Sequence, residues 1–354
     1  MALIDAHQIP NLKTALTGPM QLLEKQLLHK QQEIEEWFQA QWQLSPAPVY
    51  GSVDLRNAGF KLAPVDMNLF PAGFNNLHLN PAFVPLSVEA ARIIVQQIVP
   101  HAKRILLIPE NHTRNLFYWE NIQALLKTLT EAGFEVRVGS LLAEVTDIVL
   151  ADGASIKVES IVRQEDKVSL AGFMPDFILL NNDLSDGIPE ILQGLKQPIA
   201  PPAELGWSHR LKSEHFQYYA AVSDEFAKLI QIDPWFIAPL FFHCGELDFM
   251  RREGEECLVS HAETLFASIQ KKYDEYDIPH QPYIVVKADA GTYGMAVLMV
   301  RSVEELRSLN RKQRTQMSKS KGGRPVTKVI VQEGVYTFET WGQQDAVAEP
   351  VVYM

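Results

Sequence analysis

Pro282-Tyr283-Ile284-Val285-Val286-Lys287-Ala288-Asp289-Ala290-Gly291-Thr292-Tyr293-Gly294-Met295 is the stretch on which the fold of this chain is read. A short β-branched run ends in a lysine, and a loop with two glycines follows. Such a run, bounded by turn residues, predicts a buried strand. Gly291 and Gly294 let the backbone approach a ligand closely, and N–H groups in such a loop can face phosphate oxygens. Lys287, at the strand end, offers a point charge to the same oxygens. The pattern is not a Walker A loop, because no Gly-Lys-Ser/Thr follows, and no Gly-x-Gly-x-x-Gly is present. Ala296-Val297-Leu298-Met299-Val300 predicts the returning strand. Taken alone, the stretch is equally a plain β-hairpin with a glycine turn and a surface lysine.

A second apolar strand, Lys328-Val329-Ile330-Val331-Gln332-Glu333-Gly334-Val335, adds to the first, with Glu339 shortly after. The order strand, lysine, glycine loop, strand, then a strand ending in Gln-Glu-Gly, resembles the nucleotide-covering hairpin and hinge of ATP-grasp ligases. The resemblance implies that the hinge reads the adenine edge and that a following carboxylate holds the ribose hydroxyls. The chemistry suits this, since a carboxylate accepts two hydroxyl donors. The expected nucleotide site is therefore Lys287, Gly291, Thr292, Tyr293, Gly294, Gln332, Glu333, Val335 and Glu339. For Glu333 and Glu339 singly, a solvated strand end is the competing reading.

The 354 residues are 47% hydrophobic, enough to bury a sizeable core in two domains. A net charge of −11 argues against a nucleic-acid binder. The two cysteines, Cys244 and Cys257, show neither zinc spacing nor a disulfide framework, which fits a reducing, cytoplasmic setting. The N-terminus is not a signal peptide, and no apolar run approaches a membrane span.

Leu12 to Trp42 has helical periodicity, for packing on the body or on a partner subunit; a homo-oligomer is compatible with it. In Pro46 to Asn80, charged and amide groups alternate with aromatics, as in a preformed pocket for a charged small molecule. Arg56 or Lys61 would clamp a carboxylate, Asp66 would face an ammonium group, and Asn68 and Asn75 would line the pocket. An irregular loop with solvated charges is the alternative there. From Ser87 a helix–strand alternation predicts a doubly wound α/β layer, in which ligands sit beyond the carboxyl ends of strands. Glu110, His112 and Arg114 follow the strand Arg104 to Ile108, and Arg114 is a second candidate carboxylate clamp. Thr146 to Leu170 reads as a β-rich excursion. Pro198, Pro201 and Pro202 place the domain boundary near Pro201, giving a substrate domain over 1–201 and a nucleotide domain over 202–354. Ser213 is expected to cap the helix after it. Leu306 to Arg324 begins as a helix and becomes basic, either a mobile loop or a positive lid.

The two nucleotide stretches, together with Val65 to Asn76, Pro109 to Asn115, Leu309 to Arg314 and Ala348 to Met354, resemble the proteobacterial type of glutamate–cysteine ligase over nearly the whole chain. The Phe70-Pro71-Ala72-Gly73-Phe74-Asn75-Asn76 run is the most specific part. The resemblance implies ATP- and magnesium-dependent joining of the L-glutamate γ-carboxylate to the L-cysteine amine through an acyl phosphate, the first step towards glutathione. It also implies Lys287 and Lys212 as charge-neutralising cations, with Arg210 the runner-up to Lys212, and Arg114, the clamp read from its place after a strand, joins them as a candidate catalytic residue. Lys212 is chosen because ATP-grasp ligases place a further phosphate-contacting lysine before such a helix. Two departures stand out. Ala296 occupies a position where the family pattern has glycine. The magnesium-binding residues are expected beyond Met354, so no residue here is assigned to metal and the ATP-grasp domain reads as cut short. A non-catalytic nucleotide-binding module, or a ligase for another amino-acid pair, is the alternative.

Overall fold

The structure is a computed structural model that describes residues 18–77, 81–111, 115–142, 146–290, 295–320, 323–341 and 346–354. It is of the mixed α/β class and divides into two compact units. One contains Ala47–Ser52, Asn68–Gly206 and Tyr353–Met354, and the other Val53–Met67, Trp207–Val352 and the N-terminal segment up to Pro46. The later break, between Gly206 and Trp207, lies close to the expected division at Pro201, whereas Val53–Met67 and the segment before Ala47 belong with the later unit. Phe60 and Ala63 belong to the apolar core of the second unit, so Val53–Met67 is part of that unit despite its early place in the chain. No helix among the described residues is long and apolar enough to cross a membrane.

The first unit is built on a six-stranded sheet. Ile199–Ala200, Phe177–Asn181, Arg104–Pro109, Glu135–Ser140 and Ser155–Ser160 run parallel in that order, and Thr146–Val149 pairs antiparallel at the edge. The central strands are apolar without alternation, as sheets covered on both faces require. Ile105, Leu107, Phe177 and Leu179 meet Val95 of the helix Val84–Ile98 and Trp119, Ile122 and Leu125 of the helix Leu116–Glu131. Asn115 caps the latter by accepting from Phe117 N. Gly139 is needed for close approach, since a Cβ there would lie 2.7 Å from both Leu106 and Ile161.

The second unit is centred on a four-stranded antiparallel sheet in the order Phe241–Cys244, Val329–Glu333, Ile284–Ala288, Val297–Val300. The helix Glu255–Glu275 lays Leu258, Ala262, Leu265, Ile269 and Tyr273, a stripe at helical spacing, against one face. Ile284, Val286, Ala288, Val329 and Val331 answer it from the sheet. Strand residues alternate between faces, so Val285, Lys287, Ile330 and Gln332 emerge on the other side. The N-terminal helices Pro19–His29 and Gln31–Leu44 belong to this unit, where Trp37 and Phe38 pack on Phe226 at 5.4 and 5.9 Å.

Candidate active site

The face of the sheet turned away from the helix Glu255–Glu275 carries Lys287, and the cross-strand register groups Gln332, Val285 and Ile330 with it. Lys287 Nζ donates to Gln332 Oε1 at 3.0 Å and to the Val65 carbonyl at 2.9 Å. Burial lowers the Lys287 ammonium to about 8, against the pull of Asp66. Gln332 is 1% exposed, and its Nε2 has no acceptor among the described residues. An unmade hydrogen bond of this kind costs about 1–3 kcal/mol, so the position suits a ligand that brings an acceptor.

Lys212 approaches from the start of the helix Lys212–Ile230. Its ammonium donates to both oxygens of Asp66 at 2.7 Å and lies 4.1 Å from the Trp207 ring centre. Burial acts to raise the Asp66 carboxyl, but Lys212 and Lys287 together bring it below its ordinary value. Arg210 donates to the Met67 carbonyl at 3.3 Å and stands over the same indole. His215, one turn into the helix, is driven down to about 4 by burial and by Arg210, so it is neutral at pH 7.

The helix is not capped by Ser213. Leu211 is the N-cap and makes no side-chain cap bond. Asp289, fully buried at the end of the Lys287 strand, does that work: its carboxylate accepts from Ser213 N and Ser213 Oγ at 2.7 Å each. Its own carbonyl accepts from Lys212 N at 2.8 Å, which ties the two lysine-bearing elements together.

Arg56 completes the cationic set. It pairs with Glu349 and donates to Tyr283 Oη and the Val335 carbonyl, each at 3.3 Å. Asp54, two residues before it on the strand Ser52–Asn57, is raised by burial and then by Asp66 and Glu349. Asp289 and Glu349 were given no role from the sequence, and Asp54 was read only as one of the polar groups of Pro46 to Asn80. An aspartate two residues after a strand-end lysine was the available signal for Asp289.

Several expected site residues do other work. Lys61 has no exposed surface and donates to Glu333 Oε2 at 2.7 Å, so it is not a substrate clamp as placed. Glu333 lies on the core side of its strand. Its second oxygen accepts from Trp235 Nε1 at 3.0 Å, and Leu240 N also donates to Oε2 at 2.9 Å, so this carboxylate is satisfied from within and has nothing left for a ribose. The parity of the strand separates it from Gln332, its neighbour. The Val335 carbonyl is taken by Tyr283 Oη at 2.7 Å and by Arg56. Glu339 is buried, raised by that burial, and holds Asn57 Nδ2 at 2.9 Å, while its Oε2 is unpartnered among the described residues. In the other unit, Glu110 accepts from Asp183 N at 2.7 Å, Asn68 accepts from Phe70 N at 2.9 Å, and Asn75 lies half-buried in the short helix Phe74–Leu77. Arg114, Gly291, Thr292, Tyr293 and Gly294 lie outside the described residues, as does the neighbouring His112. Ala296, where a glycine was expected, has φ +51°, the left-handed region that glycine fills without strain. In the basic segment, Arg311–Met317 is helical and Asn310 closes a capping box with Gln313.

Fold and site together define an α/β protein in which Lys287, on one face of a four-stranded sheet, bonds the buried Gln332 amide, and Lys212 pairs with Asp66. The profile of the family described as GshA, glutamate-cysteine ligase, matches residues 24–354, and the chain belongs to that family. A crystal structure from Methylobacillus flagellatus KT, provisionally named a gamma-glutamylcysteine synthetase, is 55% identical. The alignment covers 98% of this chain and 81% of that one, with a TM-score of 0.90. D-alanyl-alanine synthetase A of Vibrio cholerae O1 biovar eltor is 12% identical over 66% of this chain and 60% of that one, with a TM-score of 0.34. A glutathione synthetase-like effector of Globodera pallida is 10% identical over 82% and 61%, with a TM-score of 0.39. No curated protein matches in sequence comparison.

Proposed function

We propose that the chain joins the γ-carboxylate of L-glutamate to the amine of L-cysteine with MgATP as co-substrate, on an ATP-grasp scaffold. The observation that carries this reading is that Lys212 and Lys287 act on the same Asp66 carboxylate, and that Lys287 bonds Gln332, whose Nε2 has no acceptor among the described residues. Two ammonium groups and a free donor fit a polyanion with acceptor oxygens, which a nucleoside triphosphate supplies. Family membership supports the ligase chemistry. Asp66 is engaged by Lys212 and Glu349 by Arg56, so no residue is assigned to magnesium, which enters as part of the substrate.

In this reading a γ-carboxylate oxygen of glutamate attacks the γ-phosphorus of ATP, and ADP leaves. The cysteine amine then attacks the acyl carbon of the resulting acyl phosphate, the carbon–oxygen bond breaks, and phosphate leaves as the amine loses its proton. Phosphoryl transfer needs positioning and charge neutralisation more than a protein nucleophile. Lys287 and Lys212 offset charge on the transferring group, and Arg56, exchanging Glu349 for a substrate carboxylate, orients the amino acid. Neither cysteine takes part. A place in the formation of a thiol tripeptide, a cytoplasmic setting and a homo-oligomeric state are compatible with this reading.

The test is magnesium- and ATP-dependent phosphate release across amino-acid pairs, with the dipeptide identified by mass. Release that requires glutamate and cysteine together is expected. Release with a different pair would replace the substrate assignment, and no release with any pair would overturn the proposal.

A further inference from the structure

Two thiols and an imidazole meet on the side of the sheet opposite Lys287. Cys244 ends its strand facing the core, while Cys257 and His261 stand four residues apart on one side of the helix Glu255–Glu275. Cys244 Sγ is 3.7 Å from Cys257 Sγ and 3.0 Å from His261 Nδ1, and Cys257 Sγ is 3.7 Å from the same nitrogen. All three donor atoms lie within 4.8 Å of one another. A tetrahedral zinc ion, with bonds of about 2.3 Å to sulfur and about 2.0 Å to nitrogen, sets sulfur–sulfur separations of about 3.7 Å and sulfur–nitrogen separations of about 3.5 Å. The sulfur–sulfur edge already has that length, and only the shorter sulfur–nitrogen edge must open, by about 0.5 Å.

We propose that Cys244, Cys257 and His261 form a binding site for a thiophilic divalent cation, with zinc the best match, and a fourth position open beside the exposed Cys257. The Phe242 ring stacks on His261 at 4.9 Å and 5°, which fixes the imidazole plane. Two sulfurs and an imidazole select zinc-like ions over the hard magnesium of the ATP complex, so the two cations do not compete. The ion would join the end of the strand Phe241–Cys244 to the helix across the Gly245–Gly254 connection. That strand pairs with the Gln332 strand, so the role is to brace the sheet rather than to react. The spacing is hidden in the sequence because the ligands come from a strand end and a helix turn, not from a compact cysteine knuckle.

Cobalt titration of the reduced full-length chain tests the site. The expected result is one equivalent bound, with thiolate-to-cobalt charge-transfer absorption and the ligand-field bands of a tetrahedral ion, displaced by zinc. Cys257→Ser, at an exposed position, and His261→Gln are each expected to weaken binding at least tenfold while far-ultraviolet circular dichroism is unchanged. Absence of the charge-transfer band would overturn the proposal, as would equal affinity in the Cys257→Ser variant. So would a Cys244–Cys257 disulfide, detected by mass, forming in air whether or not zinc is present.

Discussion

Removing Glu333 would strand the Lys61 ammonium in a place without solvent. Breaking a buried pair from one side typically costs about 3–5 kcal/mol, and Glu333→Gln is expected to lower stability by that order in urea unfolding. The added change Lys61→Met should recover part of the loss, because it removes the orphaned charge. A ribose-binding glutamate would behave differently, weakening ATP binding and leaving the unfolding midpoint in place. Lys287 carries a second prediction at this scale. Burial holds its ammonium at about 8, so the charged fraction falls as pH rises past that value. Phosphate binds the charged form, and MgATP affinity should therefore decline above about pH 8, by up to about tenfold per pH unit. Isothermal titration across that range checks it. Lys287→Met should bind weakly with a flat profile, and a slope surviving in that variant would assign the titration to another group. For stability the sign is reversed. The folded pKa lies below the unfolded one, so the penalty for burying Lys287 is complete below about pH 8 and fades towards about pH 10.

At the scale of elements, the Lys287 strand and the Lys212 helix are joined through one residue, Asp289, by its carboxylate and by its carbonyl. Asp289→Ala should cost about 1–2 kcal/mol through loss of the cap, while MgATP binding should change little, because the Lys212 ammonium is held by Asp66 and its N–H by the Asp289 main-chain carbonyl. Asp289→Asn keeps an acceptor oxygen and should restore most of the stability. Thermal unfolding and MgATP titration of both variants check the two expectations. The turn after the Gln332 strand is equally constrained. A Cβ on Gly334 would fall 2.1 Å from the Tyr283 ring, whose hydroxyl is held by the Val335 carbonyl. Gly334→Ala should therefore destabilise by about 1–3 kcal/mol, measured by the same unfolding assay. The strands themselves, the lysine at the end of one and the helix behind Ser213 were all legible from local pattern. The cap was not, because the residue supplying it is distant in sequence and nothing near Ser213 announces it. The roles of Gln332 and Glu333 were likewise blurred, since composition shows a polar strand end and only the pairing register tells which side chain faces which side.

At the scale of the molecule, the α/β class and the ligase resemblance could be read from the chain, whereas the extent of the compact units could not. Phe60, Lys61 and Ala63 look like part of the polar N-terminal region, yet they belong to the core around Tyr273 and Val331. Adjacency in sequence misleads when a segment's partners are a few hundred residues away. A ligand that binds only the folded state stabilises it by mass action, about 2.7 kcal/mol at a hundredfold excess over Kd. MgATP should thus raise the melting temperature of the wild-type chain by several degrees and leave that of Lys287→Met almost unmoved, as differential scanning calorimetry would show. The alternation along Val329–Glu333 has a consequence for how such chains can change over generations. Inserting or deleting one residue between Lys328 and Gln332 would turn the strand inside out at its end. Glu333 would then stand on the Lys287 face, and Lys61 would lose its carboxylate partner. Substitutions at this edge can accumulate one by one, but changes of length are closed to it, and lineages that lengthen the protein must do so elsewhere.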